Sequence, residues 1–458
     1  MSTRDFTRRG AFRAAASGIT AASYKRLRGA NDRVQVGFIG YGLIGSQHVH
    51  DFSNQPDVDM AAMCDVYQPR LEQGVAACGQ KAKPYSDFRK MLDNKDLQAI
   101  VVSTPDHWHA LMTIMACGAG KDVYVEKPLT LFVKEGRWMA QAARKYNRVV
   151  QVGTQQRSGP HYRKAKELLE SGYIGQIVST RGGSYRNIMP GFGAPPDGPP
   201  PNDFDYDMWL GPAPKRPYNP KRGIYHFRWF WDYSGGQMTN LGAHEVDIVQ
   251  WVMQMKGPSA VSSSGGRFAL NKTGQDNGET PDVQDALFEY PGFTSAFSLR
   301  EVSAARPRPG GGLEFCGTKG TLTISRSGFE VYPDMKGDPL NAIPVFAGHP
   351  AGAPHGQNVT PQPWTQAMKM PGSSDEQFNL HVRNFVDCIK SRQRPVADVE
   401  QGHQVTTACH LANISMRLGR KLRWNPDTED IAGDTEAASW LVRPYRKPWD
   451  DVLRSYQL

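Results

Sequence analysis

Residues 33–45 read RVQVGFIGYGLIG, an apolar run that leads directly into a glycine-rich turn. The run over residues 33–39 predicts a strand, and residues 43–52 predict the helix that follows it. Between them lies the pattern G-x-G-x-x-G. Its first glycine permits a tight turn, its second lets a pyrophosphate approach the backbone, and its third lets helix and strand pack closely. The predicted dinucleotide-binding residues are Gly40, Tyr41, Gly42, Leu43, Ile44 and Gly45.

An acidic residue follows at the separation that this turn requires. Asp65 comes directly after the next predicted strand, Val58–Cys64, and about 20 residues after the last glycine. Its carboxylate is placed to accept hydrogen bonds from the adenosine ribose, and it would repel a 2′-phosphate. The sequence therefore predicts NAD as the cofactor. Arg70 lies near enough in sequence to keep NADP as the alternative.

Strand and helix patterns go on alternating up to residue 154, which predicts an α/β fold with a doubly wound parallel sheet over residues 31–154. The remaining elements predicted there are helices over 67–78, 107–118 and 133–146, and strands over 97–103, 122–125 and 149–153.

The pattern changes after residue 155, where extended stretches replace the alternation. They predict a second α/β domain over residues 155–458 with a mostly antiparallel, open sheet. The predicted strands cover 176–185, 286–290, 294–302, 313–316 and 321–324, and the predicted helices cover 161–171, 376–391 and 400–418. Residues 189–220 are rich in proline and glycine, and their aromatic side chains favour an ordered loop.

The formal net charge of the 458 residues is +9, and most of it lies in residues 1–30. The rest of the chain is only mildly basic, so we expect no nucleic-acid partner. No apolar run reaches the roughly 18 residues of a membrane span, so we expect no membrane partner either. None of the six cysteines forms a C-x-x-C pair, and no metal site is expected.

Residues 1–30 resemble a twin-arginine export signal, because Arg8 and Arg9 precede Phe12 and a run of small residues over 14–22. The aromatic residue comes one position late and the apolar stretch is short. The pattern slightly favours export to the periplasm. A disordered basic tail on a cytoplasmic protein is the alternative.

Two loops follow buried strands and should meet at one edge of the sheet, because ligands of open α/β sheets bind at the carboxyl ends of the strands. Thr104, Pro105 and His109 lie after the strand over 97–103, and Glu126 and Lys127 lie after Asp122–Val125. We predict that all five border the cofactor. Lys127 is also placed to hydrogen-bond a substrate hydroxyl. The alternatives are a histidine that serves the start of a helix and a surface lysine before a turn.

The stretch GGQMTNLGAHEVD over residues 235–247 opens a predicted helix. Asn240 and His244 are four residues apart and His244 and Asp247 are three apart, so the three share one helix face. A histidine held by a carboxylate or amide is a suitable general base near neutral pH. The alternative is a helix-capping stretch with a core histidine.

These motifs, in this order, resemble the glucose-fructose oxidoreductase / inositol dehydrogenase / rhizopine catabolism (Gfo/Idh/MocA) family. The resemblance implies a Rossmann domain followed by an α/β domain whose open sheet forms the substrate floor and often the oligomer interface. It implies Lys127 as a catalytic lysine and His244 as the catalytic acid/base. The family often has an aspartate where this chain has Asn240, and we therefore expect Asp247 to orient His244.

The expected reaction is reversible oxidation of a secondary hydroxyl of a sugar or cyclitol by a homo-oligomer, a dimer or tetramer. The predicted substrate-binding residues are Lys127, Arg157, His161, Tyr185, Trp209, Asn240 and His244. Aromatic faces with arginine or histidine donors suit sugar rings. Two alternatives stay open: transient sugar oxidation by tightly held NAD that cleaves a glycoside, and a non-enzymatic dinucleotide-binding module.

Overall fold

A computed structural model describes residues 33–270, 274, 276–305, 312–336 and 362–458. The predicted export signal in residues 1–30 lies outside this part, so it stays a prediction. No helix within the described ranges has the length and apolar character that crossing a membrane requires.

The first part of the chain forms a six-stranded sheet with the order β3-β2-β1-β4-β5-β6, in which every pair is parallel. This is the Rossmann order, and it confirms the predicted doubly wound sheet. The strands are β1 (Val34–Ile39), β2 (Val58–Cys64), β3 (Lys83–Tyr85), β4 (Ala99–Val102), β5 (Asp122–Val125) and β6 (Val150–Val152). The helices are α1 (Leu43–Ser53), α2 (Gln68–Ala77), α3 (Phe88–Leu92), α4 (Asp106–Gly118), α5 (Val133–Lys145) and α6 (Pro160–Glu170).

Within the described residues the second sheet has ten strands in the order β16-β13-β12-β11-β7-β10-β9-β8-β17-β18, of which only β7 and β10 pair in parallel. It confirms the predicted mostly antiparallel sheet. Its strands are β7 (Ile177–Tyr185), β8 (Ala260–Gly266), β9 (Val283–Tyr290), β10 (Phe293–Arg300), β11 (Leu313–Gly317), β12 (Gly320–Ser325), β13 (Gly328–Pro333), β16 (Met368–Pro371), β17 (Leu422–Asn425) and β18 (Asp430–Ile431). A separate pair joins β14 (Met335–Lys336) to β15 (Gln362–Pro363).

One face of this second sheet is covered by helices. Along β10, Phe293, Phe297 and Leu299 are buried and alternate with more exposed residues, the period expected of a strand with one covered face. The helices of this half are α7 (Tyr206–Leu210), α8 (Gly236–Asn240), α9 (Gly242–Val252), α10 (Ser374–Ser391), α11 (Val399–Leu418), α12 (Thr435–Ser439) and α13 (Trp449–Ser455). Apolar residues of α9 and α11 complete the core beneath the strands.

Helix α10 returns to the first sheet although it comes late in the chain. Its residue Phe385 is fully buried and packs edge-on against Phe52 of α1 and Tyr124 of β5. Val382 and Val386 of the same helix face enter the same core. The division into residues 31–154 and 155–458 therefore stays a prediction, because the core of the first sheet draws on both.

The proline-rich segment that follows β7 is ordered around aromatic side chains. Phe204, Trp209 and Tyr218 are buried together with Phe227 and Tyr233. Trp229 and Phe230 belong to the same cluster, whereas Trp231 is half-buried. This aromatic layer lies over the carboxyl ends of the first sheet, since Trp209 contacts His107 at the start of α4.

Candidate active site

The glycine turn has no room for side chains at its first and third glycines. Gly40 has a φ of +92°, and a Cβ there would lie 2.7 Å from the carbonyl oxygen of Ser103. A Cβ on Gly45 would lie 2.2 Å from the carbonyl oxygen of Gly40. Gly42 differs, because a Cβ there would meet nothing closer than the Arg70 guanidinium at 3.8 Å. The turn thus leaves open space above Gly42 at the start of α1, where a helix N-terminus favours a phosphate.

Asp65 fixes this turn from the end of β2. Its two carboxylate oxygens accept hydrogen bonds from the backbone N–H groups of Tyr41, at 2.8 Å, and Tyr67, at 2.9 Å. Burial raises the pKa of Asp65. Because each carboxylate oxygen can accept a second hydrogen bond, Asp65 can still bind ribose hydroxyls in the adjoining cavity.

A cavity of about 230 Å³ begins at the glycine turn and runs toward α8. The predicted cofactor residues that line it are Gly40, Gly42, Leu43, Ile44, Asp65, Thr104 and Pro105. Tyr41, Gly45 and Lys127 do not line it. The Tyr41 N–H donates to Asp65 instead, and Gly45 lies against the Gly40 carbonyl. These residues fit a dinucleotide: a backbone cradle beside a helix N-terminus for the pyrophosphate, and a carboxylate for the ribose.

Two residues predicted to border the cofactor are buried behind the cavity instead. The ring nitrogens of His109 lie 2.7 Å from the carbonyl oxygen of Pro128 and 2.9 Å from that of Thr104. The carboxylate of Glu126 contacts His48 and Gln155, at 2.8 Å and 2.9 Å. Their polar groups are used within the protein, so the assignment of His109 and Glu126 to the cofactor is wrong. They hold together the loops that border it.

Lys127 is held by the second half of the chain. Its ammonium donates hydrogen bonds to the side-chain oxygen of Asn240 at 2.8 Å and to the Asn240 carbonyl at 3.3 Å. Burial lowers the pKa of Lys127 to about 8, and the charges of Arg228 and Arg326 act in the same direction. The Asn240 amide N–H in turn donates to Gln237. Asn240 therefore positions Lys127, and because it also lines the cavity its contact with substrate stays a prediction.

His244 lies near Lys127 at the start of α9. Burial lowers the pKa of His244 well below its usual value, and the charges of Lys127, Arg326 and Arg228 lower it further. Its Nε2 lies 3.5 Å from the Arg326 guanidinium, and its Nδ1 has no hydrogen-bond partner within the described residues. His244 is thus neutral at pH 7 and able to accept a proton. Arg326 lies on the turn between β12 and β13, and no sequence motif pointed to it.

Asp247 does not orient His244, so that prediction is wrong. Both of its carboxylate oxygens accept hydrogen bonds from Arg157, at 2.9–3.0 Å. The two side chains are 2% and 1% exposed. Arg157 also donates to Gln401 and to the carbonyl of Val396. Arg157 is consequently a buried structural residue. The prediction that it binds substrate is wrong.

A wide cleft of about 1030 Å³ opens beside His244 over the second sheet. Of the predicted substrate residues, Tyr185 and His244 line it. His161 is buried with its Nε2 3.0 Å from the carbonyl oxygen of Ser325, and Trp209 lines the cofactor cavity within the aromatic layer. The substrate assignment of His161 is therefore wrong, whereas that of Trp209 stays a prediction. Glu245, which the sequence analysis passed over, lines the cleft beside His244.

Three protein-family profiles together match most of the residues that form the two sheets and this site. The profile described as "Oxidoreductase family, NAD-binding Rossmann fold" matches residues 34–154. The profile described as "Oxidoreductase family, C-terminal alpha/beta domain" matches residues 162–265 and 365–451, and a GFO/IDH/MocA C-terminal domain profile matches residues 214–323. The chain belongs to the Gfo/Idh/MocA oxidoreductase family. Its first sheet is an NAD-binding Rossmann domain.

Named relatives of this Gfo/Idh/MocA protein include two cyclitol dehydrogenases. The inositol 2-dehydrogenase of Salmonella typhimurium is 29% identical over 33% of this chain and 46% of its own length. The chain thus matches about half the length of that relative. The scyllo-inositol 2-dehydrogenase (NAD(+)) of Bacillus subtilis is 24% identical over 80% of this chain and 88% of its own length.

Solved structures share the fold of this Gfo/Idh/MocA chain. Levoglucosan dehydrogenase in complex with NADH and levoglucosan is 19% identical, with a TM-score of 0.62 over 85% of this chain and 99% of its own. The aldose-aldose oxidoreductase of Caulobacter crescentus, complexed with glycerol, is 17% identical, with a TM-score of 0.63 over the same shares. At these identities the likeness shows the fold alone.

Gly42→Ala should weaken NAD binding without unfolding the protein. The new methyl group meets no protein atom closer than 3.8 Å but enters the space above the turn. We expect the Kd for NADH, measured by fluorescence titration, to rise at least about tenfold, or about 1.4 kcal/mol. The melting temperature of the NAD-free protein should not change. Gly198→Ala is the control, because Gly198 also has open space around its Cα. An unchanged Kd in Gly42→Ala would contradict this assignment.

Asp247→Asn should destabilise the fold and not the chemical step. Removing one charge of a buried ion pair costs about 3 kcal/mol because the other charge stays buried. Denaturant unfolding should show this loss, while turnover per folded molecule is retained. Asp427→Asn, in an exposed pair with Lys256, should cost less than about 1 kcal/mol. Full stability with a collapsed turnover number would instead restore an orienting role for Asp247.

Proposed function

We propose that this chain is an NAD-dependent dehydrogenase that oxidises a secondary hydroxyl of a sugar or cyclitol. The observation that carries the proposal is that Lys127 lies close enough to His244 for its charge to lower the pKa of that histidine. Lys127 is anchored to Asn240, which lines the cavity, whereas His244 lines the cleft. The names of the two cyclitol dehydrogenase relatives support the same substrate class.

The protein supplies a proton acceptor and a cation for one substrate oxygen. His244 is neutral because burial and three cations lower its pKa, so it can take the hydroxyl proton as the carbonyl forms. The Lys127 ammonium donates a hydrogen bond to the same oxygen and stabilises its developing negative charge. NAD, when bound, is the two-electron acceptor of this oxidation.

Anchoring of Lys127 supplies the geometry for this chemistry. The Asn240 oxygen fixes the ammonium at 2.8 Å, and Gln237 fixes the Asn240 amide at 2.8 Å. Neither anchor is ionised, so Lys127 keeps its full charge for the substrate oxygen. An aspartate at position 240 would offset that charge. The asparagine therefore suits a lysine that acts as a cation.

A second candidate function comes from one relative. A glycosyl hydrolase family 109 protein of Shewanella sp. is 36% identical over 23% of this chain and 24% of its own length. We infer from it the alternative that NAD is retained through each turnover and that transient sugar oxidation cleaves a glycoside. The same Lys127 and His244 pair would serve that first oxidation.

The test is to incubate the purified protein with NAD and a panel of cyclitols, free sugars and aryl glycosides. A dehydrogenase accumulates NADH, seen by absorbance, in proportion to the sugar oxidised. His244→Asn should lower kcat at least about 100-fold while NADH still binds, because a general base contributes about that much. His50→Asn, at an exposed histidine of α1, is the matched control and should keep full activity.

Two results would overturn the dehydrogenase proposal. Glycoside cleavage without NADH accumulation, by protein that retains NAD after purification, would establish the second candidate. Equal activity of the His244→Asn variant and the native protein would remove His244 from the mechanism.

The pH dependence should report the Lys127 ammonium. Its pKa of about 8 means that the protonated, charged form prevails below pH 8 and is lost above it. We expect kcat/KM for sugar oxidation to fall as pH rises through about 8. Lys127→Arg keeps its charge in this range and should lose that decline, at a lower overall rate. Initial rates from pH 6 to 10 at fixed ionic strength check this, and a decline that persists in Lys127→Arg would contradict it.

Assembly and location complete the proposal. We infer a homo-oligomer, a dimer or tetramer, which the exposed face of the second sheet supports. Val178 and Leu287 leave 47% and 40% of their surface exposed on its strands. We also infer export to the periplasm, which the Arg8-Arg9 pair supports.

A further inference from the structure

Positive charge gathers around His244. The cations of Lys127, Arg326 and Arg228 all lower its pKa, and within the described residues no carboxylate raises it. The carboxyl group nearest in sequence is Glu245, whose pKa burial raises to about 8. Glu245 is therefore protonated at pH 7 and does not offset the cations. Among the described residues, the cleft also has one further cation and one carboxylate, Arg181 and Glu314, which lie opposite each other on β7 and β11 and offset one another. A substrate entering beside His244 therefore meets a site with a surplus of positive charge.

Two of the three cations have partners in the protein. Lys127 is hydrogen-bonded to Asn240, and an Arg228 guanidinium nitrogen lies 3.7 Å from the carboxylate of Asp106. Asp106 is buried, and Ser234 donates to its other oxygen. That Arg228 nitrogen makes no hydrogen bond within the described residues, and Arg228 lines the cofactor cavity, whereas Arg326 lines the wide cleft.

Arg326 is different. In the part of the chain that the structure describes it forms no ion pair. Its guanidinium lies 3.5 Å from the His244 Nε2 and 5.7 Å from the centre of the Phe378 ring. Its backbone is fixed, because its carbonyl accepts a hydrogen bond from Gln377. The side chain lines the wide cleft together with the hydroxyl residues Ser325 and Ser327. The Arg326 guanidinium thus lies beside His244 and faces the cleft.

A neutral polyol gives such an arginine little to bind. Hydroxyl groups bind equally well to amides, whereas a guanidinium fork matches the two oxygens of a carboxylate or phosphate and pairs with their charge. We propose that the substrate carries an anionic group, a carboxylate or a phosphate, besides the hydroxyl that is oxidised, and that Arg326 binds this group beside His244. The inference rests on the proposed dehydrogenase function.

An anion bound there would also serve the chemistry. Its charge offsets Arg326, so the pKa of His244 rises toward its ordinary value and the imidazole becomes a stronger proton acceptor. Binding of the correct substrate would then improve the base that acts on it. A neutral sugar in the same cleft would leave His244 a weaker base.

The test uses the full chain loaded with NADH and matched probes: glucose, glucuronate and glucose 6-phosphate, with galactose and galacturonate as a second set. Calorimetry measures binding of each probe, and NADH formation from NAD is followed separately. We expect an anionic probe to bind at least about tenfold more tightly than its neutral match, the value of one charge-assisted hydrogen bond. Preference for the uronate identifies a carboxylate, and preference for the sugar phosphate identifies a phosphate.

Arg326→Gln should abolish this preference, whereas Arg423→Gln, at an exposed arginine of β17, should keep it. Neutral probes that bind as tightly as every anionic probe, or a preference that survives in Arg326→Gln, would overturn the inference. Anion-selective binding without NADH formation would count against the dehydrogenase and leave the inference standing. NADH formation from neutral sugars alone would support the dehydrogenase proposal and overturn the inference of an anionic substrate.

Discussion

The hydrogen bond from the Lys127 ammonium to the Asn240 side chain, at 2.8 Å, is the one on which the site depends, because it joins the two halves of the chain there. Lys127 follows β5 of the parallel sheet, and Asn240 ends α8 in the second half of the chain. Each half alone holds an incomplete set of groups: the glycine turn and lysine in one, the histidine and the cleft in the other. The relative position of the halves is therefore what makes a reaction centre, and this bond lies at their junction.

Burial and neighbouring positive charges set the pKa values of His244 and Lys127. A histidine general base is often paired with a carboxylate, but here the carboxylate three residues away is fully engaged by Arg157. His244 stays neutral because burial and neighbouring cations lower its pKa. Burial, together with Arg228 and Arg326, also lowers the pKa of Lys127 to about 8. The Arg157–Asp247 pair affects the site indirectly. It joins the turn that follows β6 to α9, and it therefore fixes the helix that carries His244.

Regular, apolar elements could be read from the sequence, and short or polar ones could not. Strands β2 and β5 match their predicted bounds because each is a compact apolar run. The three-residue β3 and the serine- and glycine-rich β8 give no comparable signal. At the site, motif residues such as Lys127 and His244 were found because strand ends and helix spacing place them.

Residue pairings were harder to predict than residues. Arg157 and Asp247 are far apart in sequence, so helix spacing pointed Asp247 at the wrong neighbour. His109 lies in the first turn of α4 and Glu126 directly after β5, and both side chains turn inward. Arg326 comes from a β-turn with no motif, and only the pairing of β12 with β13 brings it to His244.

The nucleotide-binding half is built from two separate stretches of the chain, because α10 packs on the first sheet. Phe385 sits between Phe52 and Tyr124, so a fragment that stopped at residue 154 would expose an apolar face on its sheet. The side chains that cover this face come from residues 374–391. The nucleotide-binding half therefore cannot complete its core until most of the second half has been synthesised.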